Sequence, residues 1–161
     1  AARARRCLSE TAYEMGLAGV VLSNHGGRQL DFARSGVEVL EEVMRELRKR
    51  GSFPNPAFQV MVDGGFRRGT DILNALAMGA TAVGIGRPFL YAYSAYGVDG
   101  VIHAINLLRD ELEMNMRLIG ARSIEELVPS MVDLSALHNH TGAVFPKQDQ
   151  SVLDFMEKSR L

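Results

Sequence analysis

The sequence predicts an α/β fold, and within that class about the last third of a TIM (β/α)8 barrel. Three apolar runs, at residues 20–22, 58–62 and 82–85, predict buried parallel strands. Glycines and an arginine follow each run, and helical patterns separate the runs. A complete barrel needs about 200 residues or more, so the 161 residues of this chain supply three strand–helix units rather than eight.

A doubly wound open sheet is the alternative arrangement of the same units. Such a sheet would carry Gly-x-Gly-x-x-Gly after its first strand and an acidic residue about 20 residues later. None of the three turns has that pattern. The separations from His25 to Asp63 and from Asp63 to Arg87 are 38 and 24 residues. Each separation suits one strand–helix unit with a right-handed crossover.

The first half of the chain is predicted to form a helix, a strand and a second helix. Residues 3–15 place apolar side chains on one helical face, and residues 17–23 form the first strand. Ser35 and Glu38 have the spacing of a capping box. Apolar residues then recur at helical intervals, which predicts a helix over 36–50.

The second half repeats this alternation. After the second strand, Thr70 and Asp71 open a short helix that Gly79 follows. After the third strand, apolar spacing predicts the longest helix over 101–119, and Gly120 ends it.

Beyond the longest helix the pattern becomes weaker. Ser123 and Glu126 again have capping-box spacing, which predicts a short helix before Pro129. We assign residues 1–137 to the partial barrel. Residues 138–161 form a C-terminal tail that is expected to pack on the body or on a neighbouring subunit.

Composition excludes several classes of function. The formal net charge is −1, and no run of like charge indicates a nucleic-acid-binding arm. No stretch approaches ~18 consecutive apolar residues, so no membrane span is predicted. Cys7 is the single cysteine, which rules out an internal disulfide and favours a reducing compartment.

The second and third turns carry groups suited to a phosphate. Backbone N–H groups of glycines together with a cation can bind a phosphate dianion, and such sites are frequent in the last two strand–helix loops of barrels. The alternative for Arg67 and Arg68 is a solvated pair at a helix start, although the helix dipole disfavours a cation there. The candidate phosphate ligands are Gly64, Gly65, Arg67, Gly86 and Arg87.

Asp63 ends the second predicted strand. An unpaired carboxylate buried there would be costly. We therefore expect Asp63 either to accept a hydrogen bond from a ligand hydroxyl, such as that of a ribityl or ribose group, or to cap the following turn.

The first turn faces the same mouth and carries His25, a candidate general base. Arg28 can bind a carboxylate through two hydrogen bonds. Together they suit removal of a proton from, or near, the α-carbon of a small carboxylic acid, while a phosphate-anchored cofactor accepts electrons. The alternative is an ordinary glycine-rich turn with a solvated histidine and arginine. No spacing typical of metal ligands recurs, so no metal site is predicted.

Three motifs in this order resemble the FMN-dependent α-hydroxy-acid oxidase and dehydrogenase family, which includes glycolate oxidase and the flavocytochrome L-lactate dehydrogenases. They are SNHGGRQLD at 23–31, DGGFRRGTD at 63–71 and GIGRP at 84–88. Residues 111–120 are also similar to the last barrel helix of that family, and the resemblance covers about 14–134. It implies that the chain forms about strands 6–8 of the barrel, and that the family's first five strands lie outside this sequence.

The resemblance also implies roles for single residues. His25 matches the active-site base, and Arg28 matches the residue that binds the substrate carboxylate. Ser23 matches a flavin contact at the end of the sixth strand. The implied FMN contacts after the seventh and eighth strands are Asp63, Gly64, Gly65, Phe66, Arg67, Gly86 and Arg87.

The implied reaction oxidises an L-2-hydroxy acid of the lactate or glycolate type to the 2-oxo acid and reduces FMN. Reoxidation by oxygen would give hydrogen peroxide, and reoxidation by a haem domain would give reduced cytochrome. The full-length protein is expected to be a homo-oligomer.

Two other functions stay open from the sequence. The chain is either a non-catalytic half-barrel that binds phosphate or associates with full-length subunits, or a barrel enzyme that acts on a phosphorylated substrate without flavin. The ending Ser159-Arg160-Leu161 resembles a peroxisomal address, and a mitochondrial or cytoplasmic location is the alternative.

Overall fold

The computed structural model describes residues 8–137 of the chain. These residues form an α/β unit in which a three-stranded parallel sheet has the order β1-β2-β3. The α/β prediction is therefore confirmed. The helices and strands are α1 (Leu8–Glu14), β1 (Gly19–Leu22), α2 (Gly36–Lys49), β2 (Gln59–Asp63), α3 (Gly69–Met78), β3 (Ala82–Gly84) and α4 (Arg87–Ile119), with 3-10 turns at His25–Gly27, Ile124–Glu126 and Pro129–Met131.

The main core lies between one face of the sheet and the helices α2 and α3. The apolar spacing predicted for α2 places Leu40, Met44 and Leu47 against the sheet, where they are fully buried. Val60 and Val62 of β2 meet them from the other side and are also fully buried. Packing of α2 and α3 on the sheet sets the position and the direction of the strands. It therefore also sets where the loops after the strands lie.

The other face of the sheet is uncovered in the described part of the chain. Val21, Met61 and Ala82 are register partners on this face, and the side chain of Val21 is 60% exposed, whereas its neighbour Leu22 is 7% exposed. The prediction of buried strands therefore holds for one face of the sheet and not for the other. Helices α2 and α3 cover one side alone, so burial alternates along each strand.

The start of α2 confirms the first capping box. The Ser35 hydroxyl accepts a hydrogen bond from the backbone N–H of Glu38 (3.3 Å), and the Glu38 carboxylate accepts one from the backbone N–H of Ser35 (2.7 Å). Glycines end α3 and α4 as predicted, since Gly79 and Gly120, which follow these helices, both have left-handed backbone conformations.

The second predicted capping box does not form. Residues 124–126 make a 3-10 turn, and the Ser123 side chain makes no capping hydrogen bond. The Glu126 carboxylate instead accepts hydrogen bonds from the backbone N–H and the guanidinium of Arg122. The charged side chain of Arg122, four residues before Glu126, thus binds the carboxylate that the capping box required.

Helix α4 is longer than predicted, because it begins at Arg87 rather than at residue 101. Its backbone is non-helical at Tyr96 and Gly97, and exposed aromatic residues such as Tyr91 break the apolar periodicity before that point. Residues 3–7 of the first predicted helix and the predicted tail, 138–161, lie outside the described residues. No helix between residues 8 and 137 has the length and apolarity that a bilayer span requires.

We expect the two Ser-x-x-Glu sequences to respond differently to mutation. Ser35→Ala removes a side-chain oxygen that caps α2 and should lower the free energy of unfolding by about 1 kcal/mol. Ser123→Ala is the matched control, since this hydroxyl caps no helix, and should stay within about 0.5 kcal/mol of wild type. Urea denaturation followed by circular dichroism measures both, and equal losses would contradict the assignment.

Candidate active site

A cleft of about 820 Å³ opens at the carboxyl ends of the three strands. This is the edge where ligands bind in parallel α/β sheets. Its walls come from the loops after β1, β2 and β3, as the sequence predicts. All of the predicted site residues except Ser23 line it, namely His25, Arg28, Asp63, Gly64, Gly65, Phe66, Arg67, Gly86 and Arg87.

The loop after β1 presents His25 on a tight turn. His25 itself is left-handed (φ 56°) and exposed. Its backbone N–H donates to the Ser23 hydroxyl at 3.0 Å, so Ser23 supports the turn from outside the cleft wall. The role of Ser23 as a flavin contact stays a prediction.

Asn24 organises this loop and was not singled out from the sequence. Its Oδ1 accepts a hydrogen bond from the backbone N–H of Gly27 at 3.1 Å, and its Nδ2 donates to the Arg34 carbonyl at 3.2 Å. One side chain thus links the turn to the end of the loop before α2. The local signal was an asparagine directly before a glycine-containing turn, where such residues bond their own backbone.

The loop after β2 combines two glycines with a buried carboxylate. Gly64 and Gly65 have positive φ angles (91° and 89°), a backbone conformation that residues with a side chain rarely adopt. Phe66 is 3% exposed and anchors the loop in the core. Among the described residues, Asp63 Oδ1 is the buried side-chain atom that has no hydrogen-bond partner. A buried carboxylate oxygen in a cleft wall normally has a hydrogen-bond donor, which here is not among the described residues.

The neighbours Arg67 and Arg68 differ in their surroundings. Arg68 donates from Nε to the Glu111 carboxylate of α4 at 2.9 Å, and the same carboxylate accepts from the backbone N–H of Gly69 at 2.8 Å. Arg67 lines the cleft, is exposed, and makes no side-chain hydrogen bond or ion pair with residues 8–137. Both arginines are exposed at the start of α3, as the solvated alternative expected, but Arg68 is paired with Glu111 whereas Arg67 has no such partner in the described residues.

The loop after β3 reaches across the cleft to the first loop. Arg87 Nη2 donates to the Gly26 carbonyl at 2.9 Å. Gly86 precedes α4, and a Cβ added to it would meet no atom within 4 Å, so the backbone there is open to a ligand. The position of Gly86 and Arg87 at the cleft was predicted from the sequence. The hydrogen bond between Arg87 and the Gly26 carbonyl of the first loop was not.

The charge in the cleft favours an anion. Among the described residues, three guanidinium groups face it, those of Arg28, Arg67 and Arg87, together with a single carboxylate, that of Asp63. Arginine suits phosphate and carboxylate because its planar fork can bond two oxygens at once. No group of three or more histidine, cysteine or acidic side chains within residues 8–137 is arranged to hold a metal ion.

Comparison with known proteins gives one family. The family model described as FMN-dependent dehydrogenase matches residues 9–134. The chain is 60% identical over 128 residues to the L-lactate dehydrogenase (cytochrome) of Wickerhamomyces anomalus, which is 80% of this chain and 22% of that protein. It is 49% identical over 121 residues to a peroxisomal (S)-2-hydroxy-acid oxidase of Oryza sativa subsp. japonica, which is 75% of this chain and 31% of the relative.

Solved structures agree with this result. A mutant flavocytochrome b2 with pyruvate bound is 53% identical and superposes with a TM-score of 0.78, over 91% of this chain and 36% of that chain. A variant mandelate oxidase is 40% identical with a TM-score of 0.67, over 75% of this chain and 35% of the other. The chain therefore spans about a third or less of the proteins that it matches.

The pairing of Glu111 should show in the acid dependence of stability. The Arg68 guanidinium, followed by the Gly69 backbone N–H, holds the pKa of the Glu111 carboxyl below its ordinary value of 4.5. A lowered folded-state pKa stabilises the fold above the unfolded value, and this contribution is lost as the pH falls through the folded value. Glu111→Gln should therefore lower the melting temperature at pH 7, and the difference from wild type should shrink below about pH 4.5.

Glu113→Gln on the same helix is the control for this measurement, since Glu113 pairs with the exposed Arg117 on its own helix rather than with α3. A difference between wild type and Glu111→Gln that does not change with pH would argue against the ion pair as its cause.

Substitution of Arg67 and of Arg68 should affect the affinity for an anion differently. Arg67→Gln removes an unpaired cation from the cleft and should weaken binding of inorganic phosphate about 10- to 100-fold, the range for hydrogen bonds to charged groups. Arg68→Gln is the matched control, because its partner is Glu111. Isothermal titration calorimetry measures both affinities, and an equal effect of the two changes would contradict the proposed placement of the anion.

Proposed function

Because the chain belongs to the FMN-dependent dehydrogenase family, we propose that it forms the part of an FMN-dependent 2-hydroxy-acid oxidoreductase that carries the base and the phosphate anchor. In terms of the barrel, β1, β2 and β3 would be strands 6, 7 and 8. The observation that carries the proposal is one cleft in which His25 and Arg28 face the cations Arg67 and Arg87.

The residues in the cleft fit FMN. Arg67 and Arg87, with the open backbone at Gly65 and Gly86, supply cations and N–H donors for a phosphate dianion. Asp63 Oδ1, buried and without a partner in the described residues, would accept a hydrogen bond from a hydroxyl of the ribityl chain. FMN, when bound, supplies the acceptor for the two electrons that leave the substrate.

The first loop would bind and deprotonate the substrate. Arg28 makes no side-chain hydrogen bond or ion pair within residues 8–137 and lines the cleft, so its guanidinium is available to a substrate carboxylate. His25 stands on the same loop, exposed to the cleft, and would accept the proton that the hydroxy acid releases on becoming a 2-oxo acid. The names of the relatives support L-lactate and other (S)-2-hydroxy acids as the substrate class.

A second candidate is a non-catalytic half-barrel that binds phosphate or associates with full-length subunits. The uncovered sheet face favours it, since the apolar side chain of Val21 is 60% exposed there. Under this proposal the cleft would hold an anion without turnover.

Three experiments separate these two candidates from each other and from a barrel enzyme without flavin. Fluorescence titration measures whether the 161-residue chain binds FMN. A chimera in which residues 9–134 replace the corresponding segment of the Saccharomyces cerevisiae L-lactate dehydrogenase, 58% identical over 133 residues, measures whether the segment supports lactate oxidation. An FMN-loaded but inactive chimera would favour the non-catalytic alternative. Protection from heat by a phosphorylated sugar but not by FMN would indicate a barrel enzyme without flavin.

In the active chimera, we expect His25→Gln to lower kcat by about 100-fold or more while FMN stays bound, because general-base catalysis contributes about 10²- to 10⁴-fold. His103→Gln on α4 is the matched control, since His103 does not line the cleft, and should leave kcat unchanged. Steady-state oxidation of L-lactate with an artificial acceptor gives kcat, and the flavin absorbance gives the occupancy. A His25→Gln chimera with wild-type turnover would overturn the assignment of the base.

A further inference from the structure

The turn that carries His25 is held by a side chain at each of its three residues. The His25 N–H donates to Ser23 Oγ at 3.0 Å, and the Gly27 N–H donates to Asn24 Oδ1 at 3.1 Å. Both of these partners are neighbours in sequence. The third residue, Gly26, offers its carbonyl to Arg87 Nη2 at 2.9 Å, and Arg87 lies 61 residues further along the chain.

The turn needs such support because its backbone is unfavourable. His25 has φ 56° without being glycine, and left-handed backbone is sterically disfavoured for residues that carry a Cβ. Gly26 is also left-handed (φ 64°), and a Cβ added to it would lie 2.8 Å from Arg87 Nη2. A glycine at this position therefore permits the close approach of the guanidinium.

The guanidinium of Arg87 has N–H donors that its hydrogen bond to Gly26 does not use. A guanidinium carries five N–H donors, and Arg87 uses one of its groups on the Gly26 carbonyl while making no other side-chain hydrogen bond or ion pair with residues 8–137. It is exposed and lines the same cleft as Arg67 and the glycines of the second loop. One planar group can thus contact the Gly26 carbonyl and an anion in the cleft at the same time.

We propose that Arg87 is a positioning residue that couples anion binding to the orientation of His25. An anion bound in the cleft fixes the guanidinium, the guanidinium fixes the Gly26 carbonyl, and the carbonyl holds the left-handed turn that presents the imidazole. The coupling is reciprocal, so a firmly held turn also favours the anion. This inference rests on the proposed function only for the identity of the anion, the phosphate of FMN.

Amide hydrogen exchange of the full chain, observed by NMR, tests the coupling. The reporters are the N–H groups of His25 and Gly27, which are hydrogen-bonded within the turn. FMN and inorganic phosphate are titrated separately, each to saturation. In wild type, either anion should slow exchange of both amides about fivefold, the effect of one stabilised hydrogen bond, and should shift the ring C–H signals of His25.

Arg87→Gln and Arg67→Gln form the matched pair of variants. Each removes one cation from the cleft, so both should bind the anion less tightly, but Arg87 is the one of the two whose side chain is hydrogen-bonded to the His25 turn. At saturation Arg67→Gln should keep the slowed exchange and the ring shifts, whereas Arg87→Gln should lose both. Both side chains are exposed, and circular dichroism checks that each variant is folded.

Equal responses of the His25 turn in Arg87→Gln and Arg67→Gln would overturn the coupling. If wild type binds inorganic phosphate but not FMN, the proposed function fails, while a turn that responds to phosphate still supports the coupling. If FMN binds and the turn does not respond in wild type, the coupling fails and the proposed function stands. If neither anion binds, both are overturned.

Discussion

The parallel pairing of β1, β2 and β3 is the constraint on which the cleft depends. Its register pairs Leu22 with Val62 and Asp63 with Gly84, so the strands stop at nearly the same level and their loops leave on one edge. Side chains alternate between the two faces along each strand, so a shift of one residue in β2 would exchange them. Such a shift would turn Asp63 into the helix-covered core and take its carboxylate out of the cleft.

Apart from the meeting of the three strand loops at one cleft, the features that the sequence predicts well are formed by residues close together in the chain. The capping box of Ser35 and Glu38 spans one helical turn, and the left-handed Gly79 ends α3 where the apolar spacing stops. The same kind of signal at Ser123 was misleading, because Arg122 competes for the Glu126 carboxylate with a charge. A short motif therefore predicts a local structure only where no stronger partner lies within reach.

Contacts between side chains that lie far apart in the chain were not predicted from the sequence. Arg67 and Arg68 are adjacent and chemically identical, yet Glu111, 43 residues beyond Arg68, binds only the second of them. This pairing also resolves the conflict between a cation and the N-terminal end of α3, since the same carboxylate accepts from the Gly69 backbone N–H. The packing of α4 against α3 thus decides which arginine is left for a ligand, and no local pattern contains that information.

Under the proposed function, a phosphate bound by the loops after β2 and β3 would be remote from the bond that reacts. Its binding would then help the reaction only if it fixes the geometry of a group that takes part. In the described part of the chain Arg87 is the cleft arginine whose guanidinium bonds to the His25 turn, through the Gly26 carbonyl. The left-handed backbone of His25 is sterically disfavoured for a residue with a Cβ, so under the proposed coupling this bond would help to hold the turn. In the proposed coupling, the free energy of binding an anion at Arg87 would therefore help to hold the left-handed backbone of His25, a conformation that the chain alone disfavours.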